Sequence, residues 1–212
     1  MPRRGPPAPD RGRRKAAPDG ADAAAPPRII GGTLRGRKLP FLPDPRTRPM
    51  KDRVRETLFD LLGSDVPGTV AIDLFAGSGA LGLEALSRGA ARAILVERHF
   101  PTADRLRAAA TELGIADRVE VRPGDVLVWA RRLPPLPDDK PWLVFVSPPW
   151  EMFTSRGADV VALVAALQGA APPRSTVVVE ADTAFDQARL PGDGWTSRAL
   201  PPAVLHLWRH GS

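Results

Sequence analysis

Between residues 67 and 89 the chain leaves little choice of fold. Val70-Ala-Ile-Asp-Leu74 is a short apolar run with β-branched residues, opened by Pro67-Gly68, and it reads as a buried parallel strand. Asp73 stands at its end, Gly77, Gly79 and Gly82 follow, and from Ala80 to Arg88 the residues take helix-forming spacing. Strand, glycine turn and helix make the opening half of a βαβ unit. Glycine has no Cβ and tolerates positive φ, so the turn lets a ligand come close to the backbone. A nucleotide-like ligand is expected there, at the carboxyl end of the sheet.

The glycine spacing by itself also fits a dinucleotide site, and a tight strand-to-helix turn with no ligand would use the same residues. Asp73 separates these readings. A carboxylate would repel a pyrophosphate, but it suits a cationic ligand such as the amino acid and sulfonium of S-adenosylmethionine. A second acid, Glu97, closes the apolar run Ala91-Arg-Ala-Ile-Leu-Val96 about twenty residues on, where a carboxylate can accept both hydroxyls of a ribose.

Taken in order, residues 1–27 are rich in Pro, Arg, Ala and Gly without a periodic apolar face, which predicts a disordered basic arm. Arg28-Ile-Ile, Gly31-Gly32 and the alternating Thr33–Leu39 predict a small β-hairpin presenting Arg35, Arg37 and Lys38. After an irregular linker, Pro49 fits the start of a helix running to Leu62, with Val54, Leu58, Phe59, Leu61 and Leu62 as its apolar face. Lys51, Arg53 and Arg55 oppose the helix dipole at that end, which favours phosphate contact; pairing with Asp52 or Glu56 would also account for them. Beyond Glu97 come a helix over 102–113, a strand over 119–121, a short helix opened by Gly124-Asp125, and a strand over 142–146. A helix over 157–167, a strand over 175–180 and an antiparallel pair over 195–209 complete the chain. Asp125 can cap its helix, hold an adenine amino group, or do both. This alternation predicts an α/β, Rossmann-like, doubly wound seven-stranded sheet, mostly parallel, with an antiparallel C-terminal hairpin and a small N-terminal hairpin and helix extension.

Charge is unevenly spread. Residues 28–55 carry nine basic and two acidic residues, whereas residues 56–212 carry fifteen basic and nineteen acidic. A basic block on a mildly acidic core points to a polyanionic partner, above all nucleic acid. The chain has no cysteine and three scattered histidines, His99, His206 and His210, so no metal site is expected. No run of about 18 apolar residues is present, so no membrane span is expected.

Ser147-Pro148-Pro149-Trp150 follows the fourth strand directly. Two prolines fix two φ angles and remove two donors, leaving a rigid loop with exposed carbonyls. The tryptophan offers a face on which a base can stack, worth on the order of 1–3 kcal/mol. Acceptors for amine hydrogens, a platform for the ring and in-line positioning are what methylation of a planar exocyclic amine requires. A proline turn with a packing tryptophan is the plainer account.

Three segments now carry a resemblance: Arg28–Leu39, Thr47-Arg-Pro-Met-Lys-Asp-Arg-Val-Arg-Glu-Thr-Leu-Phe59, and Asp73-Leu-Phe-Ala-Gly-Ser-Gly-Ala-Leu-Gly-Leu-Glu-Ala-Leu-Ser-Arg-Gly89. They resemble the class I S-adenosylmethionine-dependent methyltransferases of the RsmD type, bacterial enzymes that methylate N2 of a guanine in small-subunit (16S) ribosomal RNA. The resemblance implies that Asp73, Phe75, Ala76, Gly77, Ser78 and Gly79 line the methionine end of S-adenosylmethionine. It implies that Glu97 holds the ribose, that Asp125 with Val126 meets the adenine, and that Ser147, Pro148, Pro149 and Trp150 form the catalytic loop. Arg35, Arg37, Lys38, Arg48, Lys51, Arg53 and Arg55 would grip RNA phosphates. It divides the chain into an arm (1–27), an RNA-binding extension (28–62) and a methyltransferase domain (63–212). It implies a cytoplasmic protein, expected to be a monomer, whose partner is ribosomal RNA or the small ribosomal subunit. One position departs: the family carries Asp or Asn where this chain has Ser147, whose hydroxyl can accept a hydrogen bond but brings no charge. That departure keeps a non-catalytic RNA-binding assembly factor in view. A NAD-dependent oxidoreductase would share the glycines and Glu97, but it leaves Asp73, the proline loop and the basic hairpin unexplained.

Overall fold

A computed structural model of the chain describes residues 26–39 and 50–211. The arm up to residue 25, the linker at 40–45, Pro49 and Arg48 lie outside the described residues.

Seven strands form one sheet: β1 (Val70–Asp73), β2 (Arg92–Glu97), β3 (Val119–Pro123), β4 (Trp142–Val146), β5 (Thr176–Asp182), β6 (Thr196–Leu200) and β7 (Ala203–Arg209). Their order across the sheet is β3-β2-β1-β4-β5-β7-β6. The first five strands are parallel, and β7 runs antiparallel to both β5 and β6. This is the predicted sheet. Chain order reverses between β1 and β4, and in such sheets the crevice for a ligand opens at the carboxyl ends of the strands beside that switch.

Among the described residues five α-helices cover the sheet: α1 (Asp52–Leu62), α2 (Ala80–Ser87), α3 (Phe100–Glu112), α4 (Glu151–Ser155) and α5 (Gly157–Ala170). Strand residues alternate between two hydrophobic clusters, as period-two side chains must. Ala71, Leu95 and Phe145 join α1, α2 and α3 on one face, whereas Val70, Ile72, Val144 and Val146 join α4 and α5 on the other. Proline at 148–149 had masked α4, whose single turn starts directly after Trp150.

Helix α1 begins at Asp52, inside the limit set by Pro49, with Lys51 as its N-cap. Val54, Leu58, Phe59 and Leu62 are buried, but Leu61 is 40% exposed and belongs to the outer face. The hairpin is reduced to one bridge, Arg28 to Lys38, closed by turns. It is nonetheless firmly seated. Ile29 and Leu39 enter the cluster of α1 and α2, and the Glu84 carboxylate on α2 accepts the N–H groups of Ile30 and Gly31, both at 2.7 Å. Gly32 packs on the end of α2 so closely that a Cβ there would lie 1.9 Å from the Ser87 carbonyl oxygen.

Candidate active site

A cavity of about 1150 Å³ opens at the carboxyl ends of β1, β2, β4 and β5. It is somewhat larger than the usual range for small-molecule sites, about 300–1,000 Å³. Asp73, Phe75, Ala76, Gly77, Ser78, Glu97, Asp125, Val126 and the whole Ser147–Trp150 loop line it. The register explains this convergence: Asp73 on β1 lies opposite Leu95 on β2 and Phe145 on β4, so the tips of three strands come level. Gly79 does not border the cavity. It takes φ +76° at the N-cap of α2, and a Cβ on it would press into Leu106 and Leu83. Gly82 is packed against Leu95 in the same way, at 2.3 Å for an added Cβ.

Asp73 is 1% exposed. Its Oδ2 accepts the Gly82 N–H at 3.1 Å, while Oδ1 is buried without a hydrogen-bond partner. Burial pushes its pKa up to about 7; the Gly82 and Phe75 amides work against that shift and the nearby Glu97 charge adds to it. A buried acceptor left open at a cavity wall is costly unless a donor arrives. The residues present therefore fit a ligand with a cationic or N–H-bearing end. Glu97 ties the glycine turn to β2, Oε2 accepting the Gly77 N–H at 2.8 Å and Oε1 the His99 N–H at 2.7 Å. Each oxygen retains capacity for another donor. Asp125 caps the 3-10 turn Val126–Ala130, accepting the Leu127 N–H at 2.9 Å, and its other oxygen meets Arg156 at 3.3 Å. Capping is thus one of its roles, and its exposed carboxylate still borders the cavity.

The proline loop carries Ser147 and Trp150, both half-buried, beside the fully apolar tip of β4. The Ser147 hydroxyl donates to Oε2 of Glu180. Glu180 escaped the sequence reading although the signal was there: a lone carboxylate ending the apolar run Val177-Val-Val179, the same pattern as Asp73 and Glu97. Val146 pairs with Val179, so residues 147 and 180 follow side by side. Glu180 is 7% exposed, and burial raises its pKa, with the Ser147 hydrogen bond acting in the opposite direction. The turn Leu200–Ala203 also lines the cavity, because antiparallel β7 starts level with the end of β5.

Of the predicted basic residues, Lys51 lines the cavity mouth with Met50 and Val54. Arg35, Arg37, Lys38 and Arg53 are exposed, and Arg37 donates to the Glu112 carbonyl at 3.2 Å. Arg55 requires a correction. Its side chain is fully buried, donating to the Arg28 carbonyl at 2.6 Å and to Asp52 at 3.0 Å, with Glu84 at 3.7 Å. Enclosed by these partners, it cannot reach a phosphate, whereas Lys51 at the N-cap is exposed. The salt-bridge account of this cation holds, with Asp52 as one partner.

Among the described residues no cluster of potential metal ligands occurs, and no helix is long and apolar enough to cross a membrane.

A family profile described as conserved hypothetical protein 95 matches residues 27–196. The chain is 61% identical over 70 residues to ribosomal RNA small subunit methyltransferase D of Escherichia coli strain K12, a stretch covering 33% of this chain and 35% of that protein. It is 38% identical over 122 residues to the protein of the same name from Buchnera aphidicola subsp. Acyrthosiphon pisum, covering 58% of this chain and 62% of that one. The aligned stretches thus span about a third and under two thirds of these relatives' lengths. Among solved structures, a putative methyltransferase, yhhF, from Escherichia coli superposes with a TM-score of 0.71 at 31% identity, over 88% of this chain and 98% of that one.

Proposed function

The chain belongs to the conserved hypothetical protein 95 family, the RsmD family, and on that premise we propose that it is an S-adenosylmethionine-dependent methyltransferase acting on the exocyclic N2 of a guanine in small-subunit ribosomal RNA. One observation carries the reading. A single cavity joins a buried carboxylate with an open acceptor (Asp73), a second acid at a strand tip (Glu97), a proline-framed polar loop with an aromatic (Ser147–Trp150) and a cation at the mouth (Lys51). The relatives' names, all methyltransferases, support the same class and lend nothing to a nicotinamide site.

Bound S-adenosylmethionine supplies an electrophilic methyl group on a positively charged sulfur. The chain's own residues do the positioning. Asp73 gives its free Oδ1 to the cationic amino acid end, and the unused acceptor capacity of Glu97 takes the ribose hydroxyls. Asp125 and Val126 border the adenine. The Trp150 face holds the target base by stacking, while Ser147 Oγ and the Pro148 carbonyl accept hydrogen bonds from its amine. A weakly basic amine so held gains most from alignment and exclusion of water. Residues 28–62 act as the RNA-binding extension through Arg35, Arg37, Lys38, Lys51 and Arg53, with Arg48 added on sequence alone.

The test is transfer of isotopically labelled methyl from S-adenosylmethionine to small-subunit RNA and to small-subunit particles, followed by mass mapping of the modified nucleotide. Label at a guanine N2 is expected. No transfer by folded protein that binds the cofactor would overturn the enzymatic reading in favour of a non-catalytic RNA-binding factor.

A further inference from the structure

We infer that Ser147 and Glu180 work as one unit: Ser147 Oγ touches the acceptor amine as a catalytic residue, and Glu180, acting through it, is a positioning residue that orients the hydroxyl and takes up the proton the reaction releases. This deepens the methyltransferase reading and rests on it.

The geometry is specific. A serine hydroxyl has one proton and two lone pairs. It serves an amine donor reliably only if its own proton is held elsewhere, and here that proton goes to Oε2 of Glu180. The lone pairs are then left for the cavity, which both residues line. Glu180 is held by the sheet rather than by a loop, with β4 on one side and β7 on the other, where Leu205 is its register partner. Burial is the main influence on its ionisation, and the Ser147 hydroxyl is the other. Asp73, Glu97 and Lys51 line the same cavity and Asp182 shares the face of β5, yet burial and the Ser147 hydroxyl alone shift Glu180. Asp182, two residues on, accepts the Ala184 N–H, and His206 pairs with Val179, whose side chain lies on the opposite face of the sheet. A carboxylate whose ionised form burial disfavours takes up a proton more readily than an exposed one.

In the step itself, the lone pair of the amine nitrogen forms the bond to the methyl carbon as the carbon–sulfur bond breaks, its electron pair returning to sulfur. The nitrogen, now positively charged, gives one proton to Ser147 Oγ while the Ser147 proton passes to Glu180. The products are a neutral methylated amine, a thioether and a protonated Glu180, which returns its proton to solvent once the site opens.

Single-turnover methyl transfer, measured in wild type, Glu180→Gln, Ser147→Ala and the double variant with saturating S-adenosylmethionine, tests this. Proton transfer by a positioned group contributes about 100-fold or more, so each single variant is expected to lose about that factor in kcat. Cofactor affinity and KM for RNA should stay within about threefold. The double variant should be no slower than the worse single, since one unit is removed either way. The wild-type rate should fall on the acid side as Glu180 protonates, and Glu180→Gln should lack that limb. Wild-type turnover in Glu180→Gln, multiplying losses in the double variant, or an unchanged pH profile overturns the inference while leaving the methyltransferase reading in place. If Glu180→Gln does not fold, Ser147→Ala decides, because it keeps Glu180 and full turnover in it has the same force. Absence of transfer by the wild type overturns both.

Discussion

Replacing Glu84 by alanine should cost this protein a large part of its stability, and the reason can be counted atom by atom. Glu84 is fully buried on α2. Its Oε1 accepts Gly31 N–H at 2.7 Å and Arg88 Nε at 2.8 Å; its Oε2 accepts Ile30 N–H at 2.7 Å and faces the buried Arg55 Nε at 3.7 Å. Removing one partner of a buried ion pair costs about 3–5 kcal/mol, because a charge stays behind without its counter-charge. Arg55 keeps the Arg28 carbonyl and the half-exposed Asp52, and water can reach the partly exposed Ile30 and Gly31 amides. The lower end, about 3 kcal/mol, is therefore expected against a total of about 5–15 kcal/mol for a domain. Urea unfolding followed by circular dichroism measures it, with an unchanged slope as the check that the two-state reading holds. The double variant Glu84→Leu/Arg55→Met removes both charges and should recover at least half of the loss. A single-variant loss under about 1 kcal/mol, or a double variant no better than the single, would refute the claim that Glu84 clamps the hairpin to the cofactor helix.

Measured by titration calorimetry above pH 7, where Asp73 is ionised, Asp73→Asn should weaken binding of S-adenosylhomocysteine at least about tenfold, since one charge facing a cation is lost. The same variant should flatten the pH dependence of stability. Folded Asp73 holds its proton to about pH 7 while the unfolded chain releases it near 3.8, so wild-type stability falls as pH rises between those values; equal melting shifts in both proteins would speak against this. Gly32→Ala must resolve a 1.9 Å contact with the Ser87 carbonyl at φ +75°, and a loss above about 2 kcal/mol in thermal or urea unfolding is expected. Lys51→Ala and Arg53→Ala should each lower the slope of log RNA affinity against log salt by about one, whereas Arg55→Met should leave that slope unchanged while altering stability.

Much of the molecule was legible in order along the chain. The apolar runs with acids at their ends marked β1 and β2 with Asp73 and Glu97, and the alternation of strands and helices yielded the seven-stranded sheet, because period and burial are local properties of a sequence. Boundaries drifted by up to three residues where helices fray and strands end. Glu180 and the Leu200–Ala203 turn were not connected to the site, since their nearness to Ser147 depends on β5 pairing with β4 and β7 turning back beside it. Arg55 looked like its neighbours Lys51 and Arg53 because charge alone does not say which way a side chain points.

The sequence by itself therefore determined the fold class and the glycine turn with its flanking acids, since glycines, prolines and apolar periodicity act over a few residues. Only the tertiary structure decided which charges face inward. It buried Arg55 against Glu84, left Asp73 with an open oxygen in a cavity, and set a carboxylate behind Ser147. Each of these depends on which strands and helices become neighbours, and therefore on the burial and desolvation that no single stretch of chain can impose on its own.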